Sequence, residues 1–126
     1  MDIRKMEKAV VAALENIKGR DIVVLKVAHL SPLFERIIIA SADSTRQVKA
    51  LADNVREKLK AIGAQVLSVE GEQTGEWVLV DLGAIVVHVM KPAIRQYYNL
   101  EELWDQPELK RPRTRKKAAQ SQPAAT

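Results

Sequence analysis

Between Asp2 and Lys18, apolar residues fall at Ile3, Met6, Val10, Ala13, Leu14 and Ile17. Steps of three and four place them in one stripe of an α-helix, with Glu7, Lys8, Glu15 and Lys18 mostly outside it. Asp2 is suited to cap the first turn, and Gly19 to the left-handed position beyond the last one. The same spacing returns at Val48, Leu51, Ala52, Val55, Leu59 and Ile62, predicting a helix over residues 45–62 that Gly63 closes. Period-two or β-branched runs predict strands over residues 21–27, 36–40, 66–69, 77–81 and 85–90. The last two are separated by Leu82-Gly83-Ala84, a hairpin-length connection. Pro92 starts a short helix through Tyr98, and residues 100–104 add one more turn.

Strand, helix and strand over residues 36–69 form a βαβ unit, and the later hairpin adds antiparallel pairing. The expected fold is therefore α/β, a five-stranded mixed sheet with flanking helices. A chain of 126 residues, 47% hydrophobic and 29% charged, suffices for one domain with a real core. We expect that domain to occupy residues 1–105, leaving 106–126 as a basic tail too poor in apolar surface to offset its ordering entropy. No apolar run approaches the roughly 20 residues that span a bilayer, and the first residues lack the apolar core of a signal peptide. A soluble, cytoplasmic protein without a membrane partner is the expectation.

Charge changes the picture once it is located. The net charge is +4, yet residues 1–104 hold 14 basic and 14 acidic side chains. The excess comes from Lys110, Arg111, Arg113, Arg115, Lys116 and Lys117, opposed by Asp105 and Glu108. The folded part is electrically balanced, unlike a nucleic-acid-binding domain. The tail cations remain candidates for contact with RNA phosphates, the alternative being a solubilising extension.

Catalytic chemistry finds little purchase. With no cysteine, the chain has no disulfide, thiol nucleophile or thiolate metal site. Ser41-Ala42-Asp43-Ser44 lacks the glycines of a phosphate loop and carries an anion-repelling Asp. Ser44 and Thr45 read as helix caps before they read as nucleophiles. Alternation puts Val86, His88 and Met90 on one sheet face and Val87 and Val89 on the other. His88 therefore reads as structural, its ring hydrogen-bonded at a sheet edge or surface, the alternative being an Asp81–His88 polar centre that lacks a nucleophile. Glu70, Glu72 and Glu76 read as a solvated loop rather than metal ligands. No cofactor or metal is expected.

Four of the five aromatic residues, Trp77, Tyr97, Tyr98 and Trp104, cluster late in the chain, the fifth being Phe34. Around them lie Glu70, Glu72, Glu76, Asp81, Glu101, Glu102 and Asp105, an arrangement that suits a basic protein partner better than a phosphate backbone. The alternative is that the rings complete a small core, which fits Trp104 better than Trp77.

The segments Gly75-Glu76-Trp77-Val78-Leu79-Val80-Asp81-Leu82-Gly83, Val86-Val87-His88-Val89-Met90 and Arg95-Gln96-Tyr97-Tyr98-Asn99-Leu100-Glu101-Glu102-Leu103-Trp104 resemble the ribosomal silencing factor (Iojap-like) family. Asp21-Ile22-Val23-Val24-Leu25 and Ser44-Thr45-Arg46-Gln47-Val48 resemble its first strand and second-helix entrance, so that the likeness covers about residues 3–105. Ser41-Ala42 stands where relatives commonly carry Thr-Gly, and Glu35 and Lys26 replace common Asp residues. The resemblance implies a nucleotidyltransferase-like fold without its catalytic carboxylates. It also implies a protein that binds the large ribosomal subunit through that subunit's protein fourteen, blocks joining of the small subunit and lowers translation in starvation. Relatives in mitochondria are linked to large-subunit assembly. By matching position, Trp77, Asp81, His88, Tyr98 and Leu100 would lie in or near the docking surface, with Glu70, Glu72 and Glu76 steering toward a basic patch. A nucleotide-binding enzyme is the rival reading, and a homodimer of the free protein through the aromatic patch is left open.

Overall fold

A computed structural model describes residues 2–104. The elements in chain order are α1 (Ile3–Asn16), β1 (Arg20–Lys26), β2 (Arg36–Ser41), α2 (Thr45–Ala61), β3 (Ser68–Glu70), β4 (Trp77–Asp81), β5 (Ile85–Met90), α3 (Pro92–Tyr98) and α4 (Leu100–Trp104). The expected division at residue 105 and the tail lie outside the described residues.

Local chemistry sets the helix ends. The Asp2 carboxylate accepts from the Arg4 N–H at 3.1 Å, and the Ser44 hydroxyl from the Gln47 N–H at 3.1 Å, each satisfying a donor that the first turn leaves unpaired. At the end of α1 it is Lys18, with φ 63°, that takes the left-handed conformation expected of Gly19. Gly19 is small for another reason: a Cβ there would stand 3.0 Å from the Leu14 carbonyl oxygen and 3.3 Å from Leu51. The glycine lets the chain pass close to α2. Gly63, with φ 93°, takes the left-handed position after α2 as expected.

The five strands form one sheet in the order β1-β2-β5-β4-β3, with β2 and β5 parallel and every other neighbouring pair antiparallel. The mixed α/β sheet agrees with the expectation, and strand order adds what pattern alone does not specify. The βαβ unit is spread across the sheet, so β5 and β4 lie between β2 and β3. Strand β3 starts at Ser68 rather than Val66, because its pairing begins with Ser68 opposite Asp81 and continues through Glu70 opposite Leu79. Glu70 thus belongs to an edge strand and not to the loop.

The two faces bury different cores. Helices α1 and α2 lay Val10, Leu14, Val48, Leu51, Val55 and Leu59 onto Ile38, Ala40, Val78, Val80, Val87 and Val89. Each fully buried leucine contributes about 1.5–3 kcal/mol relative to exposure. Asn54 ties the helices together by donating to the Ala13 carbonyl at 2.8 Å. The opposite face holds Leu25, Val27, Ile37, Ile39 and Met90, covered by Phe34, Trp77, Ile94 and Leu100. Alternation along β5 feeds both cores, and all six of its residues are buried.

The turn before β4 runs beneath Trp77. Gly71 has φ +90°, and a Cβ there would meet the Trp77 carbonyl oxygen at 2.1 Å. Gly71→Ala combines left-handed strain with a backbone clash, and we expect it to destabilise the domain by about 2–4 kcal/mol in urea denaturation.

Candidate functional site: an aromatic ledge on the second sheet face

Trp77 opens β4, and the register sets it opposite Met90 while Leu79 faces His88 and Asp81 faces Val86. With period two, Trp77, Leu79, Asp81, Val86, His88 and Met90 share the face away from α1 and α2. Trp77 and Asp81 are therefore the two diagonal neighbours of His88. The structure joins His88 to the first of them: the Trp77 indole Nε1–H donates to His88 Nδ1 at 2.9 Å, with ring centroids 5.8 Å apart. The Asp81 carboxylate instead accepts from the Gly83 N–H at 2.9 Å and braces the hairpin turn, where Gly83 has φ 88°. The Asp81–His88 polar centre that an enzyme reading would use is thus corrected, because each group is engaged elsewhere.

Helix α3 carries the remaining rings. Tyr98 lies against Trp77 with centroids 4.9 Å apart and planes tilted by 49°. Tyr97 meets Tyr98 edge-on, also at 4.9 Å. Such tilted and T-shaped arrangements match the ring quadrupoles. Tyr97 is 81% exposed and Tyr98 52%, whereas Trp77 and Leu100 are half-buried against the second core. The result is a ledge of aromatic surface seated on the sheet. Trp77, His88, Tyr98 and Leu100 come together here, and Tyr97 extends the group; His88 is buried in the central strand rather than at the expected sheet edge or surface, because β2 and β4 flank β5 on both sides. Glu76 pairs with Lys91 at 3.7 Å, Glu70 is exposed on the β3 edge, and Glu72 is half-buried in the turn between β3 and β4. Asp81 sits at the other end of the hairpin, on the same face. The side chain of Trp104 and the six tail cations lie outside the described residues.

A second polar cluster, which reading the sequence did not single out, fixes the helix that bears the tyrosines. Arg95 is 8% exposed and grips Glu101 through two bonds, Nε to Oε1 at 2.8 Å and Nη2 to Oε2 at 3.0 Å. Its third arm donates to the buried Ser41 hydroxyl at 2.8 Å. Hydrogen bonding to Arg95 holds Glu101 below the usual carboxylate range, despite the opposing effect of burial. Between the two partners Asn99 adopts a left-handed conformation (φ 48°, ψ 54°), which turns α3 into α4 and brings Glu101 back to Arg95. The available signal was an Arg and a Glu six residues apart across an Asn, which acquires meaning once the αL turn is known.

Among the described residues no group of three or more His, Asp or Glu converges to hold a metal ion, and no helix is long and apolar enough to cross a membrane.

Comparison with known proteins gives this geometry a family. The family described as "Ribosomal silencing factor during starvation" matches residues 1–126, and the chain belongs to the ribosomal silencing factor family. A ribosomal silencing factor from Chromobacterium violaceum is 53% identical over 104 residues, which cover 82% of this chain and 85% of that protein. A crystal structure from the same organism superposes with a TM-score of 0.82 at 49% identity, covering 94% of this chain and 97% of that one. A more distant relative, the mouse protein named mitochondrial assembly of ribosomal large subunit protein 1, is 32% identical over 97 residues, covering 75% of this chain and 42% of that protein.

His88 gives the ledge a pH dependence. Burial lowers its pKa from 6.5 to about 4, so the ring is neutral at pH 7 and Nδ1 is free to accept the indole N–H. As pH falls below 6.5, the unfolded chain takes up a proton that folded His88 refuses until about 4. Its contribution is complete above that window, declines through it by up to roughly 3 kcal/mol, and is flat below. We expect the stability difference between wild type and His88→Phe to shift by about 2–3 kcal/mol from pH 7 to pH 4.5 in denaturant titrations, with wild type losing more.

Proposed function

We propose that this protein binds the large ribosomal subunit at its protein fourteen, on the face that meets the small subunit, and prevents the subunits from joining, thereby repressing translation in the starved cytoplasm. Family membership supports a ribosomal role. The observation that carries the surface assignment is the exposed Trp77–Tyr98–Tyr97 ledge, flanked along the hairpin and the β3 edge by Glu70, Glu72, Glu76 and Asp81. Rigid rings supply anchor area at low entropic cost, and the carboxylates favour a cationic partner while repelling bare phosphate.

The mechanism is steric. A domain of about 100 residues has a radius of gyration of roughly 13 Å, enough to hold two docking surfaces apart. Neither bond-making nor a nucleotide is required, only an interface of roughly 1,600 Å² with a few well-packed anchors. An assembly role on the same subunit is the second reading, favoured by the name of the mouse relative. It uses the same contact at an earlier stage.

Trp77→Ala and Tyr98→Ala, singly and together, are expected to remove at least nine-tenths of the co-sedimentation with purified large subunits while leaving the far-ultraviolet dichroism unchanged. A folded double variant that pellets like wild type would refute the surface assignment. The tail cations Lys110, Arg111, Arg113, Arg115, Lys116 and Lys117 are proposed to add RNA phosphate contacts. Deleting residues 108–126 should then flatten the salt dependence of binding measured at two ionic strengths, and an unchanged slope disposes of that contact.

A further inference from the structure

We propose that His88 is a positioning residue, which acts on the partner through Trp77 rather than by touching it. This inference rests on the docking surface proposed above and concerns how that surface is held in shape. His88 is 8% exposed, in the middle of a strand buried on both faces. Such a ring has little surface left to offer a partner. What it offers instead is an acceptor: Nδ1 takes the Trp77 indole N–H at 2.9 Å.

The indole is otherwise held by its half-buried packing on the second core and by the tilted stack of Tyr98 at 4.9 Å. A tilted ring contact of this kind leaves the indole free to slide and rotate within its own plane. A hydrogen bond at the Nε1 edge removes that freedom, and Tyr98, with Tyr97 edge-on against it, inherits the fixed position. Two consequences follow for recognition. The ledge reaches its partner already ordered, so less side-chain entropy is lost on binding. The one donor of the indole is spent inside the molecule, so Trp77 presents ring carbon and a π-face outward. The complementary surface is one of apolar groups and cations over the ring rather than a hydrogen-bond acceptor for Nε1.

The test uses the full chain, with His88→Leu to delete the acceptor and His88→Asn to restore one near the position of Nδ1. Binding to purified large subunits is read by co-sedimentation titration, with Trp77→Ala as control. The indole N–H of Trp77 is followed by nitrogen-15 NMR, its signal assigned by its loss in Trp77→Phe. The expected result is a Trp77 N–H protected from exchange in wild type and in His88→Asn, and exposed in His88→Leu. Affinity should fall roughly tenfold in His88→Leu and recover in large part in His88→Asn. If Trp77→Ala abolishes binding while folded His88→Leu binds like wild type, positioning by His88 is overturned and the docking surface stands. If Trp77→Ala binds normally, the docking surface itself fails. Should His88→Leu not fold, rapid exchange of the Trp77 indole N–H in the wild-type protein overturns the proposal without it.

Discussion

The parallel pairing of β2 with β5 is the constraint on which the rest of the structure depends. It sets Ile37 beside Val86, Ile39 beside His88 and Ser41 beside Met90. A strand buried on both faces has no neutral way to slip, because a shift of one residue exchanges every side chain between cores. Here such a shift would drive His88 into the aliphatic packing of α1 and α2 and turn Val87 and Val89 toward the aromatic ledge. The desolvation of an imidazole against leucine and valine opposes that slip, as does the loss of the Trp77 bond. The helix-side core therefore determines where the residues of the proposed docking surface stand.

The second face meets the problem of buried polarity in two ways. Arg95 remains charged and is satisfied by a carboxylate and a hydroxyl, an arrangement that joins α3, α4 and the end of β2. Removing one partner from such a cluster leaves an uncompensated charge, so its geometry is strongly enforced. His88 instead gives up its proton and becomes an acceptor, which suits a site facing an indole donor. The first arrangement places the helix bearing Tyr97 and Tyr98, and the second orients the ring on which Tyr98 rests. The aromatic surface is exposed, but both of its supports are buried.

Much of this arrangement was legible in the chain. Steps of three and four from Ile3 to Ile17 and from Val48 to Ile62 report helices because the stripe they define is the one the core requires. Alternation along residues 85–90 correctly separated His88 from Val87 and Val89. The partner of His88 was another matter. Asp81 and Trp77 are equivalent diagonal neighbours in a pattern, and the choice between them turns on the Gly83 amide, which captures the Asp81 carboxylate. The pattern starts β3 too early because Val66 is apolar for packing against the helix-side core, while pairing begins two residues later. At Gly19 the residue type correctly marked a constraint, but the constraint is proximity to Leu14 and Leu51 instead of positive φ. The grip of Arg95 on Glu101 was invisible for a related reason, since it depends on a left-handed Asn99 that no periodicity encodes.

On the proposed reading, the distribution of charge and aromaticity divides the work of binding between capture and retention. The carboxylates of Glu70, Glu72, Glu76 and Asp81 lie within a solvent-exposed or half-exposed setting, where ions screen them and they bias the encounter more than the final affinity. Retention falls to the rings, whose contribution grows as water is expelled and is little affected by salt. A factor that acts only by occupying space must stay in place as long as the competing subunit is present, so its dissociation rate governs its effect. Dissociation is slowed by anchors that need no rearrangement to fit, and a ledge fixed from beneath by His88 and Arg95 meets that demand. On the same reading, the rigidity of the second face is the property through which a small domain restrains a much larger assembly.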